Sequence, residues 1–222
     1  MLSKIFRAVI LGAPASGKGT ISKRIVDKFG FVHISPGDIL RLNELNGTEL
    51  GKKAKTYIDQ GILVPDDLVI KLVSGRINEV GNKSYMLDGF PRTVVQARKL
   101  NTIDNIDAVL NLDVPHEVII DRVRGRWIHL PSGRVYNIGF NEPKVPGKDD
   151  LTGEKLVQRD DDQPEVVAKR LQVYEEMMKP VLEFYKQHNL VTNFKGNTTA
   201  EIWPQVEKFL QDKTKTAVAH CA

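Results

Sequence analysis

The stretch Gly12-Ala13-Pro14-Ala15-Ser16-Gly17-Lys18-Gly19-Thr20 decides how this chain reads. It follows an apolar run, Ile5 to Leu11, broken only by Arg7, and it opens a segment with Ile21, Ile25 and Phe29 at helical spacing. A run of that length ending in glycine predicts a buried parallel strand and a turn. The spacing after it predicts a helix over about Lys18 to Phe29. Strand, glycine-rich turn and helix in that order form a cradle for phosphate. The stretch nearly matches G-x-x-x-x-G-K-[ST], with Gly19 inserted before the hydroxyl residue. Glycines let backbone N–H groups converge on phosphate oxygens, and the helix N-terminus adds positive potential. Ala15, Gly17 and Gly19 are expected to line the triphosphate, Lys18 to bridge its β- and γ-phosphates, and Thr20 to lie near magnesium.

Outward from the loop the alternation repeats. Val32–Ile34, Ser84–Leu87, Ala108–Leu112 and Leu190–Phe194 read as short strands. Helical patterns run to about Gln60 and from Pro65, placed as a first-turn proline, to Val80. Pro115–Arg124 and Pro164–Lys186 read as helices, with Pro180 positioned to kink the second. Gly196-Asn197 precedes a final helix, and the tail after about Lys213 is expected to fray. Repeated βα units predict an α/β fold: a P-loop-type, doubly wound parallel sheet of about five strands. Trp127 to Asp162 breaks the rhythm. It is rich in Gly, Pro and Asp with short alternating runs, and is expected to form a small β-rich insert.

Composition narrows the function classes. Of 222 residues, 41% are hydrophobic and 27% charged, an ordinary globular balance. Thirty-two basic against 28 acidic residues leave +4, too little for bulk nucleic-acid or membrane binding but suited to an anionic substrate. No apolar run approaches the roughly 20 residues of a membrane span, and no cleaved signal peptide is visible. The single cysteine, Cys221, excludes an internal disulfide framework and a multi-cysteine zinc site.

A second phosphate motif, Asp88-Gly89-Phe90-Pro91-Arg92, sits at a predicted strand end. Asp88 is a carboxylate able to hold a magnesium-bound water. Gly89 allows a ligand close to the backbone, and Arg92 is a planar fork for a phosphate.

The phosphate loop, Ser35-Pro36-Gly37-Asp38-Ile39-Leu40-Arg41 and Asp88 to Thr93 together resemble the adenylate kinase family of nucleoside monophosphate kinases. The likeness continues through Arg122 to His129, Ser132 to Asn137, Asp149 to Glu154 and Gln158 to Asp162, the long-lid form. The resemblance implies a core of 1–34, 65–124 and 163–222, a helical AMP-binding insert at 35–64 and a lid at 125–162, the inserts closing over the substrates. Lys18, Asp88, Arg92, Arg126, Arg159 and Arg170 are the implied catalytic set. Arg126, Tyr136, Asn137 and Thr199 would help hold the triphosphate. AMP would fall to Pro36, Gly37, Arg41, Ile62, Val64, Gly89, Arg92, Gln96, Arg159 and Arg170. Magnesium would arrive with the nucleotide and meet Asp88 through water, with no direct protein ligand. The census agrees in charge, because phosphoryl transfer needs positioning and neutralisation rather than a covalent nucleophile.

The lid pairs His129-x-x-Ser132 with Asp149-x-x-Thr152, a zinc-ribbon spacing without thiolates. We read these four as a hydrogen-bonded network, with no zinc expected. Trp127-Ile128-His129, the Gln158-Arg159 pair and Ile202-Trp203-Pro204 look most like the family's GTP:AMP branch of the mitochondrial matrix. That implies GTP or ITP as donor, AMP as acceptor, GDP and ADP as products, and a monomer. The alternatives are a cytoplasmic ATP:AMP kinase and a nucleotide-binding regulator weakened by two departures. Ala15 stands where the family usually has glycine, inviting strain at a positive φ. Pro36 stands where it usually has Ser or Thr, removing a hydroxyl and a backbone donor.

Overall fold

The computed structural model describes residues 5–60, 62–139, 141–159, 162 and 164–215. Cys221, the end of the tail, and Asp160 and Asp161 of the lid motif lie outside the described residues. Strands β1 (Arg7–Gly12), β2 (Val32–Ile34), β3 (Tyr85–Asp88), β4 (Ala108–Asp113) and β7 (Val191–Lys195) form one sheet in the order β2-β3-β1-β4-β7. Every pairing in it is parallel. The continuous apolar runs follow from this: Ala8 to Leu11 and Tyr85 to Leu87 are fully buried because helices cover both sheet faces.

The topology positions the site. From β1 the chain goes first to one side of the sheet, through β2 and β3, and later to the other, through β4 and β7. The carboxyl end of β1 is therefore the point where strand order reverses, where such sheets bind ligands. Ile10 pairs with Asp88, which puts the β3 carboxylate beside the start of the phosphate loop.

Helices α1 (Lys18–Phe29), α4 (Asp66–Val80) and α7 (Pro164–Lys186) fall where periodicity places them. Pro65 is the residue before α4 rather than its first turn, and Pro180 lies inside α7. The helical run ahead of Gln60 is two helices, α2 (Pro36–Leu45) and α3 (Glu49–Asp59), separated by a turn at Gly47. The sequence reading omits α5 (Val94–Ile103). Its start carries a capping pattern, Thr93-x-x-Gln96, and the Thr93 side chain accepts from the Gln96 N–H. The remaining helices are α6 (His116–Arg124) and α8 (Thr199–Lys215).

The chain divides into two compact units: Met1–Pro36 with Pro65–Pro115 and Tyr174–Ala222, and Gly37–Val64 with His116–Val173. The second holds the antiparallel pair β5 (Arg126–His129) and β6 (Arg134–Asn137). Three single bridges, Ile128 to Val157, Asn137 to Asn141 and Lys148 to Lys155, extend it. Much of the expected β-rich insert is thus turns tied by isolated bridges.

Candidate phosphoryl-transfer site

In the first unit, β1 ends at Gly12, whose φ is +156° and whose missing Cβ would fall 2.6 Å from Ser16 Oγ. Any side chain there would collide with the loop. Ser16 Oγ is fully buried and has no hydrogen-bond partner among the described residues. Gly17 takes the left-handed conformation that starts α1. Lys18 Nζ donates to the Gly12 and Ala13 carbonyls, both at 2.8 Å. The ammonium is therefore held inside the ring of the loop, where a phosphate would sit. Gly19 and Thr20 are exposed in the first turn of α1. Ala15 has φ +58°, so the suspected strain is real: a non-glycine residue occupies the left-handed region.

Asp88 is 9% exposed. Its Oδ2 accepts from Ser22 Oγ at 3.1 Å and lies 3.1 Å from His33 Nε2. Oδ1 has no partner among the described residues, so the carboxylate is oriented through one oxygen and can offer the other to a metal-bound water. Sequence reading missed Ser22 and His33. Ser22 is one turn beyond Lys18 on α1 and carried no motif, and His33 sits inside a three-residue strand. Among the described residues no cluster of His, Cys, Asp and Glu could hold a metal by itself.

Arg92 is exposed and folds back on its own turn, its Nε donating to the Gly89 carbonyl at 2.7 Å. A Cβ on Gly89, whose φ is +70°, would stand 3.2 Å from the Arg92 guanidinium. Gln96 is 2% exposed, not a surface glutamine. Its Oε1 accepts from the Arg92 N–H at 2.7 Å and its Nε2 donates to Asp66 Oδ1 at 2.7 Å. Thr199 is buried at the start of α8. Before it, Thr198 Oγ1 accepts from the Glu201 N–H at 3.2 Å and Glu201 Oε2 accepts from the Asn197 N–H at 2.9 Å.

In the second unit the arginines come in pairs on shared acids. Asp38 Oδ1 accepts from Arg41 at 2.8 Å and lies 3.8 Å from Arg159. Asp162 binds Arg126 through both carboxylate oxygens and lies 3.6 Å from Arg170. Arg126 is 8% exposed, so its charge is held largely out of water beside its counter-ion. Gly37 leaves room for Arg41, whose guanidinium would be 3.1 Å from a Cβ there. Ile62 donates its N–H to the Tyr57 carbonyl at 3.1 Å, and Val64 is buried. Pro36 is the first residue of α2, a position where a missing N–H costs no helical bond.

The four lid residues are linked, His129 to Ser132 at 2.7 Å and to Thr152 at 3.4 Å, and Thr152 to Asp149 at 3.0 Å, and Asp149 is the hub of the network. Asp149, 2% exposed, accepts from Arg134 at 2.7 and 2.6 Å, from Tyr136 Oη at 2.9 Å and from Thr152 Oγ1 at 3.0 Å. His129 also meets Glu154 at 2.5 Å. Arg134 first, then the Thr152 N–H and Tyr136, hold the Asp149 carboxyl well below the usual carboxylate range. Burial, with Asp149 adding to it, pushes the Tyr136 phenol up. Tyr136 Oη also accepts from the Asp150 N–H at 2.8 Å, and Asn137 Nδ2 donates to the Arg122 carbonyl at 2.7 Å. The Tyr136 hydroxyl is thus engaged both as donor and as acceptor, and the Asn137 amino group is tied to α6, which leaves the Tyr136 ring face and the Asn137 carbonyl oxygen to offer a nucleotide. Arg134 and Glu154 escaped sequence reading because a spacing motif marks only its own positions.

The adenylate kinase family model matches residues 10–190. The protein named "GTP:AMP phosphotransferase, mitochondrial" of Drosophila melanogaster is 64% identical over 213 residues, covering 96% of this chain and 99% of the relative. A lysine-bearing phosphate loop at the reversal point of a parallel sheet, and this similarity over nearly the whole chain, place the protein in the adenylate kinase family.

Proposed function

We propose that the protein transfers the γ-phosphoryl group of GTP to AMP, giving GDP and ADP reversibly, as a monomer of the mitochondrial matrix. The observation that carries the reading is the Lys18 ammonium inside the phosphate loop, one strand away from the Asp88 carboxylate. The choice of GTP and of compartment is supported by the relative's name and the identity to it.

In the transfer an AMP phosphate oxygen attacks the γ-phosphorus. The bond from that phosphorus to the β–γ bridging oxygen breaks, and GDP leaves with the electron pair. Lys18 leaves its two carbonyls for the β- and γ-oxygens. The N–H groups of the loop from Ala15 to Thr20 take the remaining charge. Magnesium accompanying the triphosphate supplies further neutralisation of the phosphate oxygens. Asp88, braced by Ser22 and His33, would hold a water of that ion. AMP is assigned to Pro36, Gly37, Arg41, the backbone from Ile62 to Val64, Gly89, Arg92 and Gln96. Arg126, Arg159 and Arg170 are assigned to the transferring phosphates, and Thr199 with Tyr136 and Asn137 to the donor nucleotide.

A coupled assay with GTP, ITP, ATP and CTP as donors and AMP as acceptor tests this. GTP should have the highest kcat/KM, with ITP next. ATP exceeding GTP would replace the GTP reading with an ATP:AMP kinase, and no turnover with any donor would refute the phosphoryl-transfer reading.

A further inference from the structure

We propose that Asp66 sets acceptor specificity, by locking the Gln96 amide in the one orientation that matches a 6-aminopurine monophosphate and rejects a 6-oxopurine one. The proposal rests on the reading that Gln96 meets the base of AMP.

A glutamine amide is ambidextrous, since a half-turn about its last bond exchanges acceptor for donor. By itself it matches adenine in one orientation and hypoxanthine or guanine in the other. Here both ends are committed. Oε1 faces the Arg92 N–H at 2.7 Å, a group that only donates. Nε2 faces Asp66 Oδ1 at 2.7 Å, a group that only accepts. A half-turn would set carbonyl against carboxylate and amino group against N–H, losing both bonds. Asp66 is itself fixed. Its Oδ2 accepts from Thr93 Oγ1 at 2.9 Å, and the same hydroxyl accepts from the Gln96 N–H at 3.1 Å. The four groups close a ring across the starts of α4 and α5.

What the locked amide retains is one lone pair on Oε1 and one N–H on Nε2. Adenine offers a 6-amino donor beside a ring-nitrogen acceptor, the complement in the same order. A 6-oxopurine offers an acceptor at that place, next to either an N1–H donor or a second acceptor at N7. Each arrangement leaves at least one buried group facing its own kind, the kind of mismatch that discriminates strongly. The backbone N–H of Arg92 is invariant under side-chain mutation, so Asp66 is the part of the lock that can be varied. It is a positioning residue, because it acts through Gln96.

The test uses the full chain, with GTP as donor and AMP, IMP and GMP as acceptors. Where IMP turnover is undetectable, calorimetric dissociation constants replace KM. Asp66→Ala should lower the AMP-over-IMP ratio of kcat/KM about tenfold, the scale of one hydrogen bond, through KM for AMP and with kcat little changed. Asp66→Asn keeps an acceptor oxygen toward Nε2 and should retain most of the ratio. Asp67→Asn removes a neighbouring acid from the same helix start and should leave the ratio unmoved, and a fall there matching that of Asp66→Ala would assign the effect to the helix start and overturn the proposal. If Asp66→Ala does not fold, Asp66→Ser, too short to reach Gln96, is read by the same ratio. A ratio unchanged within twofold in the folded Asp66 variant, while Gln96→Ala collapses it, would overturn the proposal alone. Gln96→Ala leaving both KM for AMP and the ratio unchanged would overturn the base contact, and the proposal with it.

Discussion

Replacing Ala15 by glycine should make the protein more stable, against the usual direction of such a change. Ala15 has φ +58°. An L-residue with a Cβ in the left-handed region costs roughly 1–2 kcal/mol. Glycine removes that cost but frees the unfolded chain, which returns about 0.4–1 kcal/mol. The net gain is on the order of 0.5–1 kcal/mol. For a chain of this size that is a rise of roughly 1–4 °C in melting temperature. Asn189, at φ +55°, is the internal comparison. Asparagine tolerates this region through its short polar side chain, so Asn189→Gly should gain little or lose. Calorimetry or thermal circular dichroism on both variants reads the difference. The variant loop also keeps every N–H it offers, so kcat should hold within about twofold, by the logic that positioning sets the rate. A melting temperature for Ala15→Gly equal to or below wild type would refute the strain argument.

Other expectations follow from the same geometry. Lys18→Met should leave the fold intact and reduce turnover by at least a hundredfold, of the order seen when a preorganised charge is removed; retention of a tenth of wild-type turnover would refute the loop's role. Pro36→Ser should tighten AMP binding by a few-fold, about one added hydrogen bond, with an unchanged or weaker calorimetric constant counting against it. Elemental analysis should find no stoichiometric zinc, since His129 is committed to Ser132 and Glu154; one equivalent whose chelation lowers thermal stability would contradict this. Asp149 carries the acid limb of stability. Its carboxyl is depressed in the fold, so its contribution is present above the unfolded carboxylate value of about 3.9 and is lost as pH falls below it. The melting-temperature gap between wild type and Asp149→Asn should therefore narrow between pH 6 and pH 3, and a constant gap would exclude the linkage.

What was legible in the sequence is what local chemistry dictates. Gly12 to Thr20 and Asp88 to Arg92 carry their conformational demands in consecutive residues, and the buried parallel strands announce themselves as unbroken apolar runs. The helix α5 was not legible by periodicity because its inward face is short, with Gln96, Ala97 and Leu100 buried. Its Thr-x-x-Gln start was the available signal. The boundary of the phosphate loop's supporting shell was not legible either. Ser22 and His33 reach Asp88 across 66 and 55 residues of chain, and no local pattern encodes that distance.

The arginines show why a motif identifies charges better than it explains them. Six cationic side chains drawn from separate stretches repel one another unless something else is present. In the second unit that something is an acid for each pair, Asp38 for Arg41 and Arg159, Asp162 for Arg126 and Arg170. Each carboxylate offsets the desolvation of guanidiniums that are mostly withdrawn from water. Each also aims two forks at one point before any phosphate arrives. A phosphate competes with a carboxylate for such forks by adding charge and oxygens, not by creating the geometry. Removing the acid should therefore not free the arginines for better binding. It should leave them buried, repelling and misaligned, so an acid whose charge opposes the substrate's is part of what prepares its site.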